Sequence, residues 1–336
     1  MTQGARITAI GTYVPAKRLT NHDLEKMVET NDEWILQRTG IRERRITRTD
    51  EYTSDLCIAA VEDLMRRFGI KVDDVDFVLV ATSTPDFPFP STASILQNRL
   101  GISTAAGAMD LSAACAGFVY GLHLAHSLIA SGLHRKVLVV GAESLSKITD
   151  YTDRSTCILF GDGAGAVLVE ASETDQFLGH HLGSDGSGAH QVYRTGLTAS
   201  VNGVELTDSG RIVQNGREVF RWALRTVPQG VQELLNRAGI EMEQVDWFIP
   251  HSANLRMIEP ICEKLNHPFE RSLYSLVEYG NTSAASIPLA LDLGIRDGRV
   301  KNGDVALLYG FGSGLTHAGQ LVRLDFDPMV AEPTPL

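Results

Sequence analysis

Leu64-Met-Arg-Arg-Phe-Gly-Ile-Lys-Val-Asp-Asp-Val-Asp-Phe-Val-Leu-Val-Ala-Thr-Ser83 returns in altered form as Leu235-Asn-Arg-Ala-Gly-Ile-Glu-Met-Glu-Gln-Val-Asp-Trp-Phe-Ile-Pro-His-Ser252. Each copy reads as a helix end, a Gly-Ile stop, an acidic turn and a short apolar strand. Glycine past the last helical turn is the usual C-terminal signal, because it takes a left-handed backbone without a Cβ penalty. The strands show no polar alternation, so both of their faces are expected to be buried.

Two further pairs extend the repeat. Cys115 opens a helix that ends near Ser131-Gly132 and is followed by the strand Lys136-Val-Leu-Val-Val-Gly141. Asn281 opens a helix that ends near Asp297-Gly298 and is followed by Asp304-Val-Ala-Leu-Leu-Tyr309. The interval from Cys115 to Ser131 equals that from Asn281 to Asp297, which assigns Cys115 and Asn281 to equivalent places. Phe160-Gly-Asp-Gly-Ala-Gly-Ala-Val-Leu-Val169 then matches Phe311-Gly-Ser-Gly-Leu-Thr-His-Ala-Gly-Gln-Leu-Val322, each read as a glycine-rich turn leading into a strand. The prediction is an α/β fold of two halves related by a pseudo-two-fold axis, each a mixed sheet with helices on its faces. The helix after Cys115 carries Phe118, Val119, Leu122, Leu124, Leu128 and Ile129 around its circumference, so it belongs between layers. The polar break Ala171-Ser-Glu-Thr-Asp175 divides the chain into halves 1–175 and 176–336. Residues 183–216, rich in Gly, Ser, Thr and Asn, read as a loop-dominated insertion.

The 336 residues suffice for a large duplicated core. The four cysteines, Cys57, Cys115, Cys157 and Cys262, have no C-x-x-C spacing, so neither a metal site nor a redox dithiol is expected. The chain starts without a signal-peptide pattern and contains no apolar run of membrane-spanning length, which fits a cytoplasmic protein off the membrane. The formal net charge of −11 argues against nucleic-acid binding, and it requires any acidic partner to dock on a local basic patch.

Three residues carry candidate chemistry. Cys115, in Asp110-Leu-Ser-Ala-Ala-Cys-Ala-Gly-Phe118, sits where a helix begins. Free N–H groups and the helix dipole favour a thiolate there, and a thiolate is a nucleophile. His251 follows the strand Trp247-Phe-Ile-Pro250, and ligand sites in α/β sheets gather beyond strand carboxyl ends. Asn281, in Tyr279-Gly-Asn-Thr-Ser-Ala-Ala-Ser286, is either a helix N-cap or an uncharged amide donor for a developing oxyanion. Gly161-Asp-Gly-Ala-Gly165 lacks a P-loop lysine and reads as structural.

Ala-Ala-Cys115-Ala-Gly-Phe, Pro-His251-Ser-Ala-Asn-Leu-Arg and Gly-Asn281-Thr-Ser-Ala-Ala-Ser resemble the catalytic motifs of the β-ketoacyl-acyl-carrier-protein synthase III family. The resemblance runs from Ile10-Gly-Thr-Tyr-Val-Pro15 to Leu321-Val-Arg323, through Asn31-Asp-Glu-Trp34, Arg38-Thr-Gly-Ile-Arg-Glu-Arg44 and Asp153-Arg154. It implies a thiolase-like α-β-α-β-α sandwich and two half-reactions. An acyl-CoA acylates Cys115. Malonyl-acyl-carrier protein then loses carbon dioxide and condenses with the acyl group, His251 and Asn281 holding the enolate oxygen. The backbone N–H groups of Cys115 and Ser313 are the implied oxyanion hole, with serine where many relatives have glycine. Trp34, Arg38, Thr39, Arg154, Gly216, Phe220 and Asn254 match contacts to CoA and its pantetheine. Arg217, Arg221, Ser252, Ala253, Asn254, Leu255, Arg256 and Lys264 are the implied docking surface for acyl carrier protein. Phe89, in Phe87-Pro-Phe-Pro90, matches a residue that shapes the acyl pocket of the partner in a homodimer. No cofactor is implied beyond the substrates. His317 stands where many relatives carry an aromatic residue, as a pocket wall or a bystander.

Three alternatives stay open at this level. A related thiolase-fold acyltransferase would load another acceptor without decarboxylation. A papain-like hydrolase also uses Cys, His and Asn but lacks the duplication. A binding module would leave Cys115 inert.

Overall fold

A computed structural model describes residues 3–333. Its first sheet contains β1 (Gly4–Tyr13), β2 (Phe77–Ala81), β3 (Gly107–Leu111), β4 (Lys136–Ser144) and β5 (Asp162–Ser172) in the order β1-β5-β4-β2-β3. The second contains β6 (Phe177–Ser184), β7 (Trp247–Pro250), β8 (Val305–Gly312) and β9 (Thr316–Arg323) in the order β7-β8-β9-β6. Pairing repeats between the sheets. β1 with β5 and β5 with β4 are antiparallel, as are β6 with β9 and β9 with β8; β4 with β2 and β8 with β7 are parallel. Only the first sheet has a fifth strand, β3, parallel to β2.

Helices complete five layers. α1 (Thr53–Phe68) and α2 (Thr92–Arg99) cover the outer face of the first sheet. α3 (Gly117–Ala130) and α6 (Ser286–Arg296) lie between the sheets and touch both. α4 (Gly216–Ala238) covers the second sheet and packs on α5 (Leu255–Leu265). α3 is apolar enough for this central place: Phe118, Val119, Leu122, Ala125 and Ile129 are all buried. One core cluster takes residues from both halves, from Ala5 to Leu324.

The halves grip each other through reciprocal turns. A 3-10 turn, Ala114–Ala116, precedes α3, and another, Ser283–Ala285, precedes α6. Ala114 (φ 45°) and Ser283 (φ 48°) share the same strained left-handed backbone. Each turn lies on a glycine of the opposite sheet. A Cβ on Gly310 would stand 2.7 Å from Ala116 Cα, and one on Gly141 would stand 2.4 Å from the Ala284 carbonyl oxygen.

This geometry corrects two expectations. Matching the turns pairs Ala114 with Ser283 and Cys115 with Ala284, so Cys115 and Asn281 are not equivalents. The repeat is in register at the helix ends, Gly132 (φ 77°) and Gly298 (φ 69°), but α6 has 11 residues where α3 has 14. Asn281 lies before its turn and outside the helix. Its N–H donates to the Leu159 carbonyl (2.8 Å) and its carbonyl accepts from Gly161 (3.0 Å), a one-residue parallel bridge to Phe160. The run after Phe160 is also more strand than turn. Its glycines make room for α6: a Cβ on Gly165 would meet Pro288 at 2.5 Å.

A buried ion cluster ties α1 to α6. Asp292 accepts from Arg67 (2.6 Å), Arg296 (2.6 Å) and the Thr12 hydroxyl (2.5 Å), and both Arg67 and Asp292 are fully buried. Removing one partner of such a pair strands the other in a low dielectric. Asp292→Ala is therefore expected to lower the unfolding free energy by about 3–5 kcal/mol, read from urea denaturation of the purified variant beside wild type.

Candidate active site

Cys115, His251 and Asn281 line one cavity of about 820 Å³. Three sequence-distant elements deliver them: the turn before α3, the end of β7, and the bridge before the turn of α6. Gly312, Ser313 and Gly314 line the same cavity beside the sulfur. Gly312 is irreplaceable on steric grounds, since a Cβ there would stand 2.9 Å from Cys115 Cβ and 3.0 Å from Sγ. Ser313 is not among the non-glycine residues with positive φ, so its Cβ is tolerated; its hydroxyl donates to the Val192 carbonyl (2.6 Å).

Desolvation by burial dominates the electrostatics of Cys115 and His251. Burial pushes the Cys115 thiol from its usual 9.0 up to about 12; the Ser283 hydroxyl pulls the other way and the Glu143 carboxylate adds to the rise. Burial thus opposes the thiolate that the helix N-terminus favours, while Cys115 keeps intermediate exposure toward the cavity. Burial also drives His251 from 6.5 down to about 3, so its ring is neutral at working pH. Its Nδ1 lies 2.8 Å from Ser286 Oγ, which also accepts the Ser252 N–H (3.3 Å), and this leaves Nε2 as the nitrogen for the cavity. The edge of Phe311 packs against the ring at 5.4 Å between centroids. Asn281 Oδ1 accepts the Ser283 N–H (2.9 Å). Because a backbone N–H only donates, the amide oxygen is fixed, and the NH2 is the end left for the cavity.

A second pocket of about 400 Å³ forms the mouth and shares Leu159, Gln214 and Asn254 with the first. Trp34, Arg38, Thr39, Arg154, Gly216 and Arg217 line it. The guanidinium carbons of Arg38 and Arg154 stand 5.5 and 5.4 Å from the Trp34 ring centroid, a cation-rich aromatic platform at the surface. Asn254 caps α5 by accepting the Met257 N–H (3.0 Å). Phe220 lines neither pocket and packs half-buried against the outer core of the second half.

The proposed docking residues divide. Arg217, Arg221, Arg256 and Lys264 are exposed, with Arg221 bound to Glu218 (2.7 Å) and Lys264 to the Leu224 carbonyl (2.8 Å). Arg225, on the same helix as Arg221, is also exposed and was not anticipated. Ala253 lines the central cavity, and Leu255 is half-buried against Gly40. Ser252 is fully buried, its hydroxyl accepting the Ser275 N–H (3.1 Å), so it holds the loop and cannot meet a partner. Phe89 is 85% exposed and lies outside its own chain's cavity, whereas Pro85 and Pro88 line it. His317 also lies outside, its Nδ1 2.9 Å from the Tyr309 hydroxyl.

Three contributors escaped the sequence reading: Ser286, Ser283 and Glu143. The serines lie inside the Asn281 motif, where the polar positions at 283 and 286 were the available signal. Glu143, at the end of an apolar strand, gave none.

A layered duplicated fold that brings a Cys, a His and an Asn to one cavity defines a thiolase-like acyltransferase. Residues 109–186 match the family model of 3-oxoacyl-[acyl-carrier-protein] synthase III, and residues 235–324 match the model of that family's C-terminal domain. The β-ketoacyl-[acyl-carrier-protein] synthase III 2 of Halalkalibacterium halodurans is 62% identical over 320 residues, 95% of this chain and 96% of that protein. That of Bacillus subtilis is 57% identical over 320 residues, 95% and 98% of the two chains. The crystal structure of the synthase III from Thermus thermophilus matches with a TM-score of 0.92 at 46% identity, covering 95% of this chain and 99% of that one. The chain belongs to the 3-oxoacyl-[acyl-carrier-protein] synthase III family.

The buried imidazole has a consequence for stability. An unfolded histidine titrates near 6.5, and the folded ring only near 3. As pH falls below about 6.5 the unfolded chain takes the proton first, so this contribution is complete above that pH and is lost toward pH 3. His251→Gln is expected to reduce the slope of unfolding free energy against pH between about 4 and 6 by up to about 1.4 kcal/mol per pH unit, measured by denaturant titration across that range.

Proposed function

We propose that the chain joins an acyl group from acyl-CoA to malonyl-acyl-carrier protein in two steps, initiating fatty acid synthesis. The observation that carries this reading is the single cavity holding Cys115, His251 and Asn281, continuous with a cationic aromatic mouth. CoA is an adenine nucleotide with phosphates and a long polar arm. Trp34 offers a stacking face, Arg38 and Arg154 offer charge, and the residues shared by the two pockets mark the path of the arm inward.

In the first step the Cys115 sulfur attacks the thioester carbon. The oxyanion is met by the backbone N–H groups of Cys115 and Ser313, and CoA leaves. In the second step the malonyl carboxylate departs as carbon dioxide, and the electron pair it leaves moves onto the thioester oxygen. The His251 ring with its proton on Nε2 and the Asn281 NH2 donate to that oxygen. This tautomer follows when the Ser286 hydroxyl, already accepting the Ser252 N–H, turns its own hydrogen to Nδ1. The enolate carbon then attacks the acyl carbonyl and frees the sulfur. A neutral imidazole and a carboxamide suit this chemistry, because a carboxylate in either place would repel the enolate.

Asn281→Ala removes a donor needed only in the second step. It is expected to cut condensation by about 10²–10³-fold, measured as carbon dioxide released from malonyl-acyl-carrier protein. Acylation of Cys115 by acyl-CoA, followed by intact mass, should persist. Acylation of an acceptor without carbon dioxide release would instead identify a simple acyltransferase.

Acyl carrier proteins are acidic, and the chain's own net charge of −11 repels them. Arg217, Arg221, Arg256 and Lys264 supply the local exception beside the mouth. Reversing charge at Arg221 and Arg256 together is expected to raise KM for malonyl-acyl-carrier protein and flatten its salt dependence, with KM for acyl-CoA unchanged. A homodimer fits the exposed Phe87 and Phe89 beside the open edge strand β3, where Met109 is also exposed. The absence, among the described residues, of a helix long and apolar enough to cross a membrane fits a cytoplasmic enzyme.

A further inference from the structure

Arg44 is fully buried, and its guanidinium ends on two uncharged groups. Nε donates to the Ile158 carbonyl (3.0 Å), Nη2 donates to that same oxygen, and Nη1 donates to Asn21 Oδ1 (2.5 Å). No carboxylate is among these partners. A buried charge held only by neutral oxygens is costly. Each of its contacts leads to a residue already placed in the cavity or at the mouth.

One branch runs to the cavity. Ile158 precedes Leu159, whose carbonyl accepts the Asn281 N–H (2.8 Å), and Gly161 donates back to the Asn281 carbonyl (3.0 Å). The Arg44 stem lies against this bridge. A Cβ on Gly280 would stand 2.8 Å from Arg44 Cγ, and one on Gly161 would stand 3.4 Å from Arg44 Cβ. The short strand Glu43–Arg45 also borders the approach to Asn281. The Arg42 N–H donates to the Val277 carbonyl (2.8 Å), and the Arg45 guanidinium carbon stands 5.4 Å from the Tyr279 ring centroid. The other branch runs to the mouth. Asn21 donates from Nδ2 to Asp32 Oδ1 (2.8 Å) and to the Ile41 carbonyl (2.9 Å). Asp32 opens the helix Asp32–Thr39, on which Trp34, Arg38 and Thr39 stand.

We propose that Arg44 is a positioning residue that fixes the Asn281 amide for condensation through the Ile158–Leu159 backbone and fixes the Trp34 platform for acyl-CoA through Asn21 and Asp32. This role rests on Asn281 serving the condensation, as proposed above. It also accounts for arginine at this place. A planar fork reaches both oxygens at once from one rigid group, whereas a lysine ammonium is a single point on a flexible stem.

Two activities are measured on each variant: carbon dioxide release from malonyl-acyl-carrier protein by enzyme already acylated, and single-turnover acylation of Cys115 by acyl-CoA. Arg44→Met keeps an apolar stem and leaves both oxygens without their donors. It is expected to lower carbon dioxide release at saturating malonyl-acyl-carrier protein about 10–100-fold, the scale of loss when a reacting group is slightly misplaced. The acyl-CoA concentration for half-maximal acylation should rise, while the saturated acylation rate stays within about twofold of wild type. The double variant decides between positioning and general loosening. A misplaced amide costs nothing once the amide is gone, so Arg44→Met with Asn281→Ala should release carbon dioxide within about twofold of Asn281→Ala alone. Multiplied losses in the double variant, or undiminished release by Arg44→Met, overturn the proposal. Arg44→Lys, which keeps the charge and cannot span both oxygens, takes its place in the same cycle should Arg44→Met fail to fold. Asn21→Asp isolates the branch to the mouth, because its carboxylate still accepts from Arg44 and no longer donates to Asp32. It should raise the half-maximal acyl-CoA concentration and leave carbon dioxide release intact; an unchanged dependence on acyl-CoA overturns that branch. Undiminished carbon dioxide release by Asn281→Ala would sink the role of Asn281 and the proposal with it, whereas a loss there with multiplied losses in the cycle sinks the proposal alone.

Discussion

The reciprocal seating of two 3-10 turns on two glycines, Gly310 under the turn of Cys115 and Gly141 under the turn of Ser283, is the constraint on which the site depends. A side chain at either glycine would push one half away from the other. Close approach lets a thiol from one half and an amide and imidazole from the other reach one cavity. It also forces Ala114 and Ser283 into a backbone conformation that costs non-glycine residues about 1–3 kcal/mol. The surrounding core, continuous across both halves, holds them there.

Burial takes much of the solvation from the reacting groups, and that sets their chemistry. Burial makes each charged form expensive, so cysteine rests as a thiol and histidine as a neutral ring. Polarity is admitted where it is directed: Ser286 against the imidazole, the Ser283 N–H against the Asn281 oxygen, glycine backbone beside the sulfur. Toward solvent the character reverses, and Trp34 with its two arginines presents a charged aromatic surface at the mouth.

Much of this was legible in the sequence. The duplicated strands showed because burial on both faces leaves an unbroken apolar run, as at Phe77–Ala81 and Trp247–Pro250. Glycine stops at Gly132 and Gly298 fixed the repeat register, and motif resemblance brought forward Cys115, His251 and Asn281. What failed did so for tertiary reasons. Equal spacing from the helix ends hid the three residues missing from α6, since counting back from a C-terminus carries no information about where the other end begins. Ser252 passed for a surface residue because a small polar side chain looks the same in sequence whether it faces solvent or, as here, the backbone N–H of Ser275. Glu143 was invisible because its meaning lies in Ser83, Thr84 and Ser283, residues that only the fold assembles around it.

The protonated resting sulfur has a bearing beyond turnover. Peroxide oxidises thiolates far more readily than thiols, and most low-pKa catalytic cysteines trade speed for vulnerability to sulfenic acid. In Cys115 desolvation raises the thiol instead, so the form that peroxide attacks is disfavoured at rest, even though the sulfur itself stays reachable from the cavity.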